Sequence, residues 1–381
     1  MLANPSRRST ERPERPVIRY AVAGLGWFAQ AAVLPAFARA RRNSALVALV
    51  SGDAEKRDAL ARRYRVKTTA SYEEYEECLR RSGADAVYIA LPNSMHFEYT
   101  VRALRAGKHV LCEKPLAVTE EECDEMIRTA EETGRKLMTA YRLHFEPANL
   151  EAVEIVQSGR LGDVRFFHGV LSNDVREGDI RLQHALGGGT LYDIGIYPIN
   201  AARSHFRAEP LEVTALSANN GEERFREVDE MTSAVMRFPG ERLACFTSSF
   251  GASDVSAFRV VGTEGDLLLE NAFEFKGGKT RYLSTGKRTR VKNFPPRDQV
   301  APEILYFSGC ILEDRQPEPS GWEGLADVRV IRALYRSAVS REPVGLAPFT
   351  KLDRPGAELR VERPPVEPPK LLHAEPPNEG G

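Results

Sequence analysis

The sequence predicts an α/β protein in two parts, a doubly wound parallel sheet followed by an α+β domain built on an open, mostly antiparallel sheet. Three observations carry this expectation. The chain has 381 residues, more than a single core ordinarily uses. From Val17 to about Ala140, short apolar runs alternate with helical patterns, which is the rhythm of βαβ units. Beyond Glu146 the period changes, and one helix is followed by a series of alternating strands.

Residues 1–16 are rich in Arg, Pro and Glu and read as a flexible arm. In the first domain, residues 17–140, the parallel strands are Ile18–Ala23, Leu46–Val50, Ala86–Leu91, Val110–Cys112 and Leu137–Ala140. Thr119 and Glu122 form a capping box at the start of one intervening helix, and Gly134 stands where that helix should stop. The second domain, residues 141–350, opens with a helix over about Ala148–Gln157. Strands follow near Val164–Val170, Val213–Ser217, Thr232–Phe238, Leu243–Ser249 and Phe258–Val261, then closing helices near Glu303–Glu313 and Leu325–Ser340. Residues 351–381 are a Pro- and Glu-rich tail. Both ends lack the apolar surface that would offset ordering entropy, so a partner subunit would have to order them.

Hydrophobic residues at 42% and charged residues at 28% suit a water-soluble globular protein, and no apolar run reaches the length of a membrane span. A formal net charge of −1 offers no positive field to a nucleic acid backbone, which points to a small-molecule partner. The five cysteines, Cys78, Cys112, Cys123, Cys245 and Cys310, are scattered and read as reduced, buried thiols. No cluster of His, Cys or carboxylates has metal-ligand spacing, so no metal is expected. Arg7 and Arg8 lead into the polar stretch Ser9–Pro16 where an export signal would turn apolar, and a cytoplasmic location is expected.

The first strand runs into Gly24-Leu25-Gly26-Trp27-Phe28-Ala29, a G-x-G-x-x-A turn that opens a helix. In a Rossmann dinucleotide-binding domain the first Gly permits the tight turn and the second lets pyrophosphate approach the backbone. The small third residue lets helix and strand pack closely, and phosphate rests on the helix N-terminus. Pro35 inside that helix predicts an early end or a kink. At the tip of the second strand an NAD site places an acid, whereas here the tip is Ser51 followed by Gly52. Those two leave room for a 2′-phosphate, and Lys56 with Arg57 supplies positive charge one helical turn later, so NADP is favoured over NAD. Asp53 is the competing detail, and Arg57 reads more readily than Lys56 as a solvated side chain.

Polar, proline-marked turns follow two further strands, Leu91-Pro92-Asn93-Ser94-Met95-His96 and Cys112-Glu113-Lys114-Pro115. Ligands bind at such carboxyl ends in open α/β sheets. Together with YRLHFEP (Tyr141–Pro147) and GGGTLYDIGIYPIN (Gly187–Asn200), they resemble the Gfo/Idh/MocA oxidoreductase family from about Ile18 to Val344, and within it the glucose–fructose oxidoreductases. The resemblance implies an NADP-dependent enzyme that moves a hydride at C1 of an aldose, with a homodimer or homotetramer formed through the second sheet. It implies that Lys114 reaches the reacting oxygen, that Tyr197 is the general acid/base, and that Asp193 binds the sugar or orients the catalytic groups. Among cofactor contacts it adds Tyr75, Leu91, Pro92, Asn93, His96, Glu113 and Arg142 to the glycine turn and Ser51, Gly52 and Lys56. Arg142, His144 and Arg181 join the catalytic residues as substrate contacts, although Asp179-Ile180-Arg181 lacks the Trp that commonly precedes this Arg.

Elementary chemistry supports these roles. An ammonium beside an oxidised nicotinamide should have a lowered pKa, and Pro115 restricts Lys114 to an extended conformation. Asp193 and Tyr197 lie four apart in a helix opened by the Gly run, so both project from one face. A phenol is a weak base at neutral pH, so its role requires the positive field of Lys114 and NADP⁺. Two alternatives share the fold, an NADPH-dependent keto-sugar reductase and a dihydrodiol dehydrogenase. A third belongs to another class, a cofactor-binding sensor, which would have no use for a positioned acid/base pair.

Overall fold

The structure is a computed structural model that describes residues 16–378 except 352 and 368, so the N-terminal arm lies almost wholly outside the described residues. Strands β1 (Ile18–Ala23), β2 (Ser44–Val50), β3 (Thr68–Ala70), β4 (Ala86–Ile89), β5 (His109–Glu113) and β6 (Leu137–Ala140) form a parallel sheet in the order β3-β2-β1-β4-β5-β6. Helices α1 (Leu34–Ala36), α2 (Ala54–Tyr64), α3 (Tyr75–Arg81), α4 (His96–Arg105) and α5 (Glu120–Thr133) connect these strands. The order reverses between β1 and β4, and the crevice at such a switch point is where a dinucleotide lies. Strand β3, three residues long, is too short to show in the apolar pattern.

Local chemistry sets the element ends. Thr119 accepts a hydrogen bond from the Glu122 amide at 3.1 Å, and Gly134 closes α5 in the left-handed region at φ +63. After the glycine turn the helix widens into a π turn over Ala29–Val33 and stops at Ala36, one residue past Pro35, which is the early end expected of it.

The second domain begins with α6 (Pro147–Gln157) and β7 (Val164–Ser172), then α7 (Ile196–Phe206). Strands β8 (Glu212–Ala218), β9 (Met231–Phe238), β10 (Arg242–Ser249), β11 (Val255–Gly262), β12 (Gly265–Glu270), β13 (Lys279–Thr285) and β14 (Arg288–Phe294) follow. Helices α8 (Val300–Leu312) and α9 (Gly321–Ser340) and strand β15 (Val344–Gly345) complete it. The nine-stranded sheet runs β14-β13-β12-β11-β7-β10-β9-β8-β15, and only the β7–β10 pair is parallel. Phe167, Phe246 and Phe258 bury its inner face together with residues of α6, α7 and α9. Phe166, Leu216, Val235 and Leu243 remain exposed on the other face. Cys245 lies half-buried on that face, whereas the other four cysteines are buried. Among the described residues no helix is long and apolar enough to cross a membrane.

Two features depart from the order of the sequence. Helix α8 packs on the first sheet, where the Ser308 hydroxyl meets those of Tyr20 at 2.7 Å and Ser44 at 2.8 Å. The tail is not a free arm, because it lies on the chain's own surface. Leu359 is buried, Arg354 pairs with Glu209, and the backbone of Leu372 is held by the Gln30 side chain. On α7, Arg203 is fully buried and pairs with Glu209, Glu323 and Asp327, while Lys351 pairs with Glu323 and Glu318. This network joins α7 and α9 to the start of the tail.

Candidate active site

Gly24 leaves β1 at φ +92, and a Cβ there would come within 2.3 Å of the Ala90 carbonyl oxygen, so only glycine fits. At Gly26 a Cβ would meet nothing within 4 Å among the described residues. The turn therefore presents open backbone at a helix start, which is what a dinucleotide pyrophosphate needs. Leu25 is buried beneath it, while Trp27 and Phe28 are half-buried at its edge, with the Phe28 ring 5.7 Å from Phe275.

At the tip of β2, Ser51 is buried and Gly52 is exposed. Arg57 reads differently in space than in sequence. It donates to the Ser51 carbonyl at 2.8 Å, and its Nε is buried with no partner among the described residues, so the side chain lies against the strand tip and not on a solvated face. Lys56 Nζ lies 3.9 Å from Asp53 Oδ2, and Asp53 caps α2 by accepting from the Lys56 amide at 2.9 Å. Tyr75 does not reach this end. It is buried in the core and donates to the Tyr99 carbonyl at 3.2 Å, whereas the Tyr72 ring stands beside Gly52. These residues fit NADP, with Ser51, Lys56, Arg57 and Tyr72 around its adenosine ribose and Gly24–Phe28 along its phosphates.

At the other end, Leu91 and Pro92 lead into the short helical turn Asn93–Met95, and the Asn93 side-chain amide donates to the Gly187 carbonyl at 2.8 Å, tying the two domains together. His96 is fully buried, with Nδ1 2.7 Å from the Pro115 carbonyl and Nε2 2.9 Å from that of Leu91. It joins the two proline turns from behind and touches the cleft only through them. The Glu113 carboxylate likewise turns inward, accepting from the Tyr88 hydroxyl at 2.6 Å, and the same hydroxyl lies 3.2 Å from Glu303. Burial pushes both carboxyl pKa values up, against the pull of Lys114 and Arg142 on Glu113. His144 also faces the interior. Its Nε2 lies 2.7 Å from Asn200 Oδ1, its ring stacks on Tyr141, and burial lowers its pKa to about 4. His96, Glu113 and His144 therefore shape the cleft and do not line it.

Lys114, Asp193 and Tyr197 do converge. Lys114 Nζ donates to the Asp193 carbonyl at 2.6 Å, lies 3.3 Å from Asp193 Oδ1, and stands 4.8 Å from the centre of the Tyr197 ring. Leu191–Gly195 is a π turn that runs into α7, and this widened segment carries Asp193 just ahead of Tyr197. Arg181 Nε donates to Asp193 Oδ2 at 2.7 Å and Arg181 is also paired with Asp179. Arg142 donates to the Tyr197 hydroxyl oxygen at 3.0 Å and to the Phe273 carbonyl at 2.7 Å, and its other amino group binds Gln299. Because arginine can only donate, the Tyr197 oxygen accepts, and its own hydrogen is left to point at a ligand.

Burial alone would raise the Asp193 carboxyl, but Arg181 and Lys114 overrule it and hold the pKa at about 2. Asp193 is therefore a fixed negative charge at neutral pH. Lys114 is raised and not lowered as expected: burial pulls it down, but Tyr197, Asp193 and Glu113 outweigh burial. The expected lowering came from the positive ring of an oxidised nicotinamide, a charge that the protein itself does not carry. Gln299 and Phe273, unanticipated in sequence, complete the site by fixing Arg142, and Gln299 is the residue just ahead of α8, remote in the chain.

A dinucleotide cradle that opens onto a lysine–tyrosine pair defines a nicotinamide-dependent oxidoreductase. Residues 18–141 match the NAD-binding Rossmann-fold model of an oxidoreductase family, and residues 149–268 match the GFO/IDH/MocA C-terminal domain. The chain is 34% identical over 336 residues to the D-xylose 1-dehydrogenase [NADP(+)] of Haloarcula marismortui, an alignment that covers 86% of this chain and 93% of that one. A crystal structure of aldose-aldose oxidoreductase from Caulobacter crescentus, complexed with glycerol, superposes with a TM-score of 0.83 at 36% identity, covering 87% of this chain and 100% of that one. A 3-ketoreductase from Actinomadura kijaniata, complexed with NADP and TDP-benzene, gives 0.77 at 27% identity, covering 84% and 98%. The chain belongs to the Gfo/Idh/MocA oxidoreductase family. It is an NADP-dependent oxidoreductase acting on the CH–OH group of a sugar.

Proposed function

We propose that the protein oxidises an aldose at C1 to the lactone, using Lys114 and Tyr197 on either side of the reacting hydroxyl, and that the cofactor stays bound while a second sugar is reduced. Bound NADP⁺ supplies the hydride acceptor at the nicotinamide. Lys114 holds the C1 oxygen by donating to it, and Asp193, ionised and shared with Arg181, keeps the ammonium in place. Tyr197, with its own proton given up to solvent, takes the hydroxyl proton as the C1 hydride leaves, and returns that proton when a carbonyl is reduced. The observation that carries this reading is the Tyr197 oxygen, which accepts from Arg142 at 3.0 Å while Lys114 sits over the same ring. Arg142 and Lys114 thereby fix the phenol beside the ammonium, where a general acid/base for the reacting hydroxyl must stand.

The similarity to an aldose–aldose oxidoreductase supports the coupled half of the reading. The test is to denature the purified protein, identify any released nucleotide, and assay a panel of aldoses and keto-sugars by reduced-nicotinamide absorbance. Recovered NADP(H) with aldose-dependent reduction, reversed by a second sugar without added cofactor, is the expected result. Reduction of keto-sugars alone, with no aldose oxidised, would replace it by the keto-sugar reductase.

A further inference from the structure

The C-terminal tail meets the cofactor cradle at both of its turns. The side chain of Gln30, fully buried just after the glycine turn, donates to the Leu25 carbonyl at 2.9 Å and to the Leu372 carbonyl at 2.9 Å, while its oxygen accepts from the Leu372 amide at 2.9 Å. One amide thus ties the backbone of the pyrophosphate turn to the tail. At the tip of β2, His373 Nδ1 lies 2.8 Å from Asp53 Oδ2, and its Nε2 lies 3.8 Å from Glu55. Arg63 donates to the Lys370 carbonyl at 2.7 Å.

A few residues later the tail is on the other domain. Glu375 pairs with Arg176, the Pro377 carbonyl accepts from the Arg176 amide at 2.9 Å, and the Asn378 side chain donates to Asp254 at 2.9 Å. Four residues of extended chain reach at most about 14 Å, so the step from His373 to Pro377 crosses a narrow gap between the adenosine end of the cleft and the second domain. The phosphate face of the turn stays open beneath it, since the Cβ direction at Gly26 meets nothing within 4 Å among the described residues.

We propose that residues 370–378 form a strap across the adenosine side of the cleft, which retards NADP release and, through His373, keeps Asp53 from opposing the 2′-phosphate. This rests on NADP being the cofactor. Asp53, two residues past the Ser51 strand tip, is the acid of this turn that competes for the ribose, yet both of its oxygens are engaged, one by the Lys56 amide and one by His373. A carboxylate freed of His373 would repel a phosphate dianion and could instead accept from a ribose hydroxyl. His373 and Gln30 are positioning residues in this scheme, and the tail gates the departure of the nucleotide.

The experiment measures NADP⁺ and NAD⁺ affinity by calorimetry, and NADP⁺ release by stopped-flow fluorescence, for the full chain, a truncation after Pro369, His373→Ala, and His373→Ala with Asp53→Asn. Binding of NADP⁺ by the full chain tests the cofactor reading separately. The truncation should release NADP⁺ about tenfold faster. His373→Ala should weaken NADP⁺ by about two- to fivefold with NAD⁺ unchanged or tightened, the order of one exposed polar pair, and Asp53→Asn should restore it, since Asn still caps the helix. Unchanged affinity and release in the truncation, or tighter NADP⁺ binding, would overturn the strap. Should the truncation not fold, His373→Ala alone decides: equal effects on both nucleotides, or none, would remove His373 from cofactor selection.

Discussion

At the scale of single residues, the division of labour in the cleft follows from which groups are free to exchange protons. Asp193 is not, because Arg181 and Lys114 keep it ionised down to about pH 2. Its pKa is depressed relative to an unfolded carboxylate near 3.9. The stability it contributes is therefore fully present above about pH 4 and is lost as pH falls towards 2. Urea titrations of wild type and Asp193→Asn should show a stability difference that is constant from neutral pH to about 4 and shrinks below it. A difference that instead grew with acid would mean that Asp193 is protonated in the fold. The residues legible in sequence were those whose motif also fixes direction, Lys114, Asp193 and Tyr197. His96, Glu113 and His144 sit in the same motifs, but nothing in a linear string tells whether a ring or carboxylate turns to the cleft or to a buried carbonyl. Tyr75 and Tyr72 are separated by a single turn, and which faces Gly52 is set by the bend at Ser71–Glu74.

At the scale of elements, turns matter more than helices or strands. Gly24 is held at φ +92 against the Ala90 carbonyl, so Gly24→Ala must either shift β4 or flatten the turn. Calorimetry should find NADP⁺ affinity reduced at least about tenfold, with the far-UV spectrum of the wild type. Unaltered affinity would show that pyrophosphate does not rest on this turn. Apolar runs made β1, β2, β4, β5 and β6 readable, and the caps of α5 were readable to the residue. Strand β14 was not, because Arg288–Phe294 turns almost every side chain to solvent and so shows no alternation. Its partner β13 begins Lys279-Thr280-Arg281, and two of its three buried side chains are the cations Lys279 and Arg281, beside Leu283.

At the scale of the whole molecule, contacts between distant segments decide what the sequence leaves open. Gln299 reaches Arg142 because α8 returns to the first sheet, and the tail orders itself on its own chain through Gln30, Glu209 and Arg176. Composition could not reveal this, since a Pro- and Glu-rich segment carries too little apolar surface to announce a docking place. The buried network around Arg203 holds α7, and with it Tyr197, against α9. Arg203→Met would leave Glu323 and Asp327 buried near each other without that cation, so unfolding free energy should fall by about 3–5 kcal/mol, measured by urea denaturation. A loss below about 1 kcal/mol would mean that Lys351 alone can satisfy both carboxylates. Phe166, Leu216, Val235 and Leu243 are exposed together on the open sheet face, and we propose that a dimer or tetramer forms through it. Light scattering of the purified chain measures this directly.

The chemistry itself comes down to Tyr197 beside Lys114. Single-turnover reduction of NADP⁺ by an aldose should slow by about 10² to 10⁴ in Tyr197→Phe, the usual worth of a general acid/base, while calorimetry finds the NADP⁺ affinity of the wild type. Equal single-turnover rates in the two proteins would take Tyr197 out of the proton path and leave the cleft a nucleotide site without the assigned acid/base.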